Sequence, residues 1–293
     1  MSINPDKYGE SMINRMITPA LVLLAVLSPL ANAQEVGSNA YVDMYFGDWR
    51  ASPPRITHGS LEERDILTRG DPFKPARKGA VLRYVSSYSY ATLAPHGSTN
   101  PTRLDGKQEI FCFLSGQGTA SAGRDTADIG PNVCILMPAN LEFTIKSTGD
   151  KPLTMYLITE PTPLGFRPNP RMLVRDENTL PITSSNGRWA HIVKTLFVTE
   201  DGLGTLQSIL TVVLDPMTIG QPHEGYHDLE EVWTAMEGTS LALVGPFLRR
   251  QGPGVAYLHP PDNLAPHTNL NYSQDEQTKF LYFAWYNPHE PRK

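Results

Sequence analysis

Three imidazoles and one carboxylate in the last quarter of this chain are the residues best suited to chemistry. His223 and His227 fall in Pro222-His223-Glu224-Gly225-Tyr226-His227-Asp228-Leu229-Glu230-Glu231, and His267 follows 36 residues after Glu231. Neutral imidazoles with one carboxylate make a site for a divalent first-row metal, because their lone pairs suit ions of borderline hardness. No other set of residues competes, since the chain has no nucleophile elbow, phosphate loop or dinucleotide fingerprint. Its two cysteines, Cys112 and Cys134, lack any CxxC or Cys/His zinc spacing, which argues against a thiolate centre. They read either as a disulfide or as two buried thiols behaving as small apolar residues.

Ligands distant in sequence can share an ion only if rigid elements bring them together. Short runs rich in Val, Ile, Leu, Tyr, Phe and Thr, punctuated by 23 Gly and 26 Pro, read as strands, with few helices expected. An internal repeat organises these runs. Glu109-x6-Gly116 matches Glu231-x6-Gly238, and Gly130-Pro131-Asn132-Val133 matches Gly252-Pro253-Gly254-Val255, both at an offset of 122 residues. A period of this length is a duplicated domain, and regular short strands within each copy imply a sandwich or barrel. The chain therefore divides into a first copy at 34–165, a proline-containing linker at 166–190 and a second copy at 191–293. The polar stretch from Gln34 to Lys78 is expected to wrap one barrel or to supply an exchanged edge strand.

Before Gln34 the chain carries an export pattern. Lys7 and Arg15 precede an apolar run, Ile17 to Leu30, and Ala31-Asn32-Ala33 offers the small residues that a signal peptidase reads, so cleavage is expected before Gln34. Met12 is an alternative start. A membrane anchor is the competing reading, but 14 residues containing Pro19 and Pro29 fall short of the ~20 needed to span a bilayer. The expected location is periplasmic or extracellular. Apolar residues at 40 % can bury a sizeable core, while 25 basic against 30 acidic residues, without blocks, argue against nucleic acid as a partner. The expected partner is a small molecule, with no membrane once the signal is removed and with homo-oligomerisation left open.

The second copy resembles a cupin. The family's first motif has a His-x-His pair, a Glu three or four residues later and a Gly seven beyond it, and its second motif has a His followed by Asn four residues on. His227-x3-Glu231, Glu231-x6-Gly238 and His267-x3-Asn271 keep those three intervals. The resemblance implies an all-β fold of two double-stranded β-helix, jelly-roll-like barrels, a bicupin, with His227, Glu231 and His267 on one metal. It further implies a histidine two residues before His227, where this chain has Gly225. The nearest candidate, His223, would lie ~13 Å from His227 along a straight strand, so the chain must bend at Glu224-Gly225-Tyr226 for both to share an ion. The alternative is a site of two histidines and a carboxylate. The metal set is thus read as His223, His227, Glu231 and His267, for one Fe, Mn, Cu, Ni or Zn ion.

Strand parity extends this reading to neighbours. Trp233 shares the face of Glu231, and Asn269 and Asn271 share that of His267, which makes them candidates for substrate contact. Tyr226 could serve as an acid or hydrogen-bond donor, or simply pack on the rim. Glu230 should face outward into solvent. His259 aligns with Met137 as an ordinary barrel position, and His58, His96, His191 and His289 read as surface or satisfied core histidines. In the first copy Asp105 and Phe143, or a near neighbour of Phe143, replace the histidines, leaving Glu109 without imidazole partners and its barrel expected to lack a metal. Together these features suggest an exported metal-dependent enzyme, of oxygenase type, with isomerase or lyase chemistry open. The alternatives are a periplasmic protein that holds a sugar or carboxylate through the metal, and a storage or structural protein.

Overall fold

The computed structural model describes residues 39–183, 189–224, 227–261 and 265–287. The export pattern, Tyr226 and His289 lie outside them. Strands dominate, because runs of β-branched and aromatic residues alternate inward and outward between tight turns. Helical structure among the described residues is limited to five residues, Asn39–Asp43, and short 3₁₀ turns.

The 122-residue repeat is a repeat of strands. Lys107–Ser115, Gly118–Ala122 and Asp125–Ile129 correspond residue for residue to Leu229–Glu237, Ser240–Val244 and Phe247–Gln251. Pairing repeats as well: Cys112 sits opposite Cys134, and Thr234 opposite Ala256. In the first half the larger sheet runs in the order Leu173–Asp176, Val133–Met137, Lys107–Ser115, Leu153–Pro161, Ser87–Leu93, Leu61–Arg69 and Arg55–Thr57. A smaller sheet of Phe143–Ser147, Gly118–Ala122 and Asp125–Ile129 packs against it. In the second half the larger sheet runs Phe46–Asp48, Val255–Leu258, Leu229–Glu237, Thr278–Tyr286, Ser208–Leu214 and Ile192–Val198. Its smaller partner is Thr218–Ile219, His267–Asn271, Ser240–Val244 and Phe247–Gln251.

The N-terminal stretch takes both roles open to it. Arg55–Thr57 and Leu61–Arg69 extend the first sheet, while Phe46–Asp48 crosses to the second and pairs Phe46 with Tyr257. The stretch read as linker also carries a strand, Leu173–Asp176, which borders Val133–Met137.

Alternation along each central strand sorts side chains into three layers. Phe111 and Phe113 enter the interior of the first barrel with Ile135, Phe143 and Ile145. Trp233 and Ala235 enter that of the second with Tyr257, Phe280 and Tyr282. Ile110, Cys112, Ile158, Val232 and Phe283 point the other way, into a shared layer between the halves. Each fully buried side chain of this size contributes roughly 2–3 kcal/mol. Cys112 and Cys134 are joined by a disulfide within that layer.

Glu230 corrects the expectation of a solvated carboxylate. It does point away from its barrel, but the shared layer lies on that side and leaves it buried. Its carboxylate accepts the backbone N–H groups of Tyr84 at 2.8 Å and Val85 at 2.7 Å, and that of Arg83. Burial pushes the carboxyl up to about 7 against the pull of these donors. Glu160 of the first half mirrors it, accepting N–H groups from Gly204, Thr205 and Leu206 at 2.8, 2.9 and 2.7 Å. Each half thereby grips the turn that leads into a strand of the other, Ser208–Leu214 or Ser87–Leu93.

Candidate metal centre

Glu231 is the third residue of the Leu229–Glu237 strand, and alternation turns it into the second barrel with Trp233. His267 opens the His267–Asn271 strand, opposite Val244. His223 is carried in by an isolated bridge, exchanging backbone hydrogen bonds with His267 at 3.2 and 2.9 Å. The Nε2 of His267 then lies 3.1 Å from the Nε2 of His223 and 3.2 Å from Oε1 of Glu231. One ligand atom from each of the three falls within 4.8 Å of the others. Ligands about 2.1 Å from one ion stand roughly 3.0–3.4 Å apart at octahedral or tetrahedral angles, so the two short separations fit a divalent metal. Glu231 and His267 are buried, whereas His223 is half-buried and forms the open side.

Surrounding groups hold each donor atom in place. The Nδ1 of His223 donates to the carbonyl of Gln221 at 3.0 Å, and the Nδ1 of His267 pairs with the Tyr257 hydroxyl at 2.9 Å. Both tethers leave Nε2 as the ring atom facing the other donors. Glu231 is held at both oxygens, Oε1 by Trp233 Nε1 at 2.7 Å and Oε2 by the Tyr286 hydroxyl at 2.8 Å. Tyr286 in turn contacts the hydroxyl of Tyr282. Burial opposes charge on Glu231, but the adjacent His267 holds its carboxyl well below the ordinary range.

His227 does not join this group, and four expected ligands become three. The motif spacing assumes a strand running through His227, but the strand begins only at Leu229. Asp228 accepts from Tyr84 at 2.6 Å and Arg83 at 3.1 Å, both residues of the first half. His227 is exposed there, its ring 5.8 Å from that of Phe73.

The candidate contacts divide. Trp233 donates its indole N–H to Glu231, so that edge of the ring is committed to orienting the carboxylate. Asn271 is committed to the backbone, donating to the carbonyls of Leu214, Asp215 and Glu276 and accepting from Ser273. Asn269 faces the barrel interior across from Ala242. His259, read as an ordinary barrel position, is buried with its ring stacked 3.6 Å from that of His267 and its Nε2 bonded to the Ala265 carbonyl at 3.1 Å. Burial, then the neighbouring His267, push it well below the usual imidazole value, so it is a neutral flank. His191 is buried 5.4 Å from the Trp233 ring. Tyr257 and Tyr286 were missed, because their contacts cross strands that no local spacing connects; the alternation Phe280, Tyr282, Ala284, Tyr286 was the available signal.

The first barrel carries different residues at the equivalent positions. Phe143 opens the strand equivalent to that of His267, and Glu109 occupies the place of Glu231. Glu109 does have an imidazole, contrary to expectation: His58 Nε2 lies 3.0 Å from its Oε2, and Thr159 donates to its Oε1 at 3.3 Å. His58 comes from the turn between Arg55–Thr57 and Leu61–Arg69, a segment outside the repeated motifs. Burial disfavours its charge, but Glu109 and Glu63 raise its pKa and so favour the charged imidazole beside the buried carboxylate.

No family model and no curated protein sequence matches this chain. Solved structures do. A glyoxylate-induced protein of Pseudomonas aeruginosa matches over 83 % of this chain and 95 % of its own, at 15 % identity and a TM-score of 0.61. An oxalate decarboxylase of Bacillus subtilis covers 84 % and 78 %, at 9 % identity and 0.61. A cupin 2 conserved barrel domain protein of Leptotrichia buccalis covers 79 % and 92 %, at 12 % identity and 0.53. At these identities the likeness is one of fold, and the fold is that of a cupin. With its duplicated barrels the chain is a bicupin in architecture, with a three-residue candidate metal centre in its second half.

Proposed function

We propose that this protein is an exported, metal-dependent cupin enzyme, of oxygenase type, acting on a small organic molecule in the second barrel. The observation that carries the reading is the convergence of His223, Glu231 and His267, each braced by a second group. These residues would hold one Fe, Mn, Cu, Ni or Zn ion, which when bound supplies Lewis-acid chemistry and, for a redox-active ion, electron transfer. Trp233 and Tyr286 keep the carboxylate in one orientation, Tyr257 and the Gln221 carbonyl fix the imidazoles, and the stacked His259 shields one flank from water. Two histidines and one carboxylate would leave positions free on a divalent ion, which favours a centre that accepts further ligands over a closed structural site. The buried Cys112–Cys134 disulfide supports an oxidising destination, as does the N-terminal pattern.

A second reading, a binding protein that holds its ligand through the metal, draws on a different observation. His259 is held neutral, and burial pushes the hydroxyls of Tyr257 and Tyr286 well above their usual value. Neither tyrosine is poised for proton transfer near neutrality. Oxygen uptake by iron- or manganese-loaded protein, screened against small organic acids and phenols, separates the two. Turnover supports the enzyme, binding without turnover supports the second reading, and protein that takes up no metal defeats both.

A further inference from the structure

The two barrels provide an internal comparison, the same fold built twice with different interiors. Phe143 and Ile145 in the first become His267 and Asn269 in the second, at the same two positions of the equivalent strand. The register confirms the match: Ile145 lies across from Ala120, and Asn269 across from Ala242. Ile135 and Met137 likewise become Tyr257 and His259. Tyr257 and His259 each have a hydrogen-bond partner, in His267 and Ala265.

Asn269 is only partly satisfied. It is 1 % exposed, and its amide nitrogen reaches the Tyr257 hydroxyl while its amide oxygen has no hydrogen-bond partner. A buried amide oxygen left unpaired costs far more than the apolar residue that the first barrel places there. Such a group persists where something outside the chain completes it. Alternation along the strand aims it into the same interior as His267, and Ala242 opposite is too small to cover it.

We infer that Asn269 is a ligand-recognition residue, whose amide pairs with a neutral polar group on the small molecule bound in the second barrel. The class of ligand follows from charge and from the amide, and it rests on the metal reading above. A divalent ion with Glu231 as its one charged ligand leaves a single positive charge in a buried site, which a monoanion balances. Asn269 presents one donor and one acceptor side by side, which complements a carboxamide or hydroxyl rather than a second carboxylate. The ligand is therefore a compact monoanionic acid with a neutral hydrogen-bonding group at its other end.

The test compares two probes of similar shape and equal charge, malonamate and isovalerate, by calorimetric titration into metal-loaded protein, native and Asn269→Leu. Native protein is expected to prefer malonamate by about tenfold, the worth of a hydrogen bond or two, and the variant to lose that preference. Chelation of the metal by the malonamate amide alone would survive in the variant, so a preference retained there overturns the inference, as does native protein that treats the probes alike. Thermal unfolding gives a readout independent of the metal. Asn269→Leu and Asn269→Ile should keep or raise the melting temperature, and a fall in both would show that the amide serves the fold instead. Metal analysis of native protein keeps the two ideas apart: bound metal without probe discrimination defeats the role of Asn269 alone, whereas absent metal defeats the centre and leaves the thermal comparison to judge Asn269.

Discussion

A carboxylate ligand is only as well placed as the groups that hold it, and Glu231 is held at both oxygens. Trp233→Phe keeps the buried ring and removes one donor, so a loss of roughly 10–100-fold in metal affinity is expected with the fold intact. Competition with a chelator measures this, and an unchanged affinity would show the indole N–H to be idle. In the first barrel His58 pairs with the buried Glu109, and His58→Ala should cost about 3–5 kcal/mol by leaving that carboxylate uncompensated. Its pH dependence has a definite sign. Because the pKa of His58 is raised on folding, its contribution is complete below about 6.5, the unfolded value, and is lost as pH rises through the higher folded value. The urea midpoint of native protein should therefore include an alkaline decline that His58→Ala lacks. The types His223, Glu231 and His267 were legible because few other residues could bind a metal. Which imidazole pairs with Glu231 was not, since that depends on where a strand begins.

At the scale of elements, the sequence reports what is periodic and local. The 122-residue offset predicted equivalent strands, and the pairings of Cys112 with Cys134 and Thr234 with Ala256 follow it. Parity also placed Trp233 and Asn269 inside the second barrel. It placed Glu230 outside correctly but could not reveal that another barrel covers that side, because burial by a distant segment leaves no periodic trace. The bridge that brings His223 beside His267 was invisible for the same reason. Glu230→Ala would strand three backbone N–H donors in the shared layer. A loss of about 3 kcal/mol or more is expected, at 1–3 kcal/mol for each group left unsatisfied and with partial rescue by water. Glu230→Gln, which keeps an acceptor, should lose less; equal stability of the alanine variant and native protein in urea would refute the clasp.

At the scale of the molecule, duplication has produced one barrel filled with Phe111, Phe113, Phe143 and Ile145 and another furnished with polar groups around a potential ion. The halves are joined by the shared apolar layer and by the reciprocal grips of Glu230 and Glu160. The disulfide crosses two strands of that layer, so thiol titration of denatured, unreduced protein should find essentially no free thiol, and two free thiols would contradict it. The central claim is that one barrel of the two binds metal, through His223 rather than His227. Metal content per chain, measured on native protein beside His223→Ala, His227→Ala, Glu231→Gln and Glu109→Gln, tests it most directly. About one metal per chain is expected in native protein, His227→Ala and Glu109→Gln, with severe loss in His223→Ala and Glu231→Gln. Retention by His223→Ala together with loss in His227→Ala, or two metals in native protein, would contradict it.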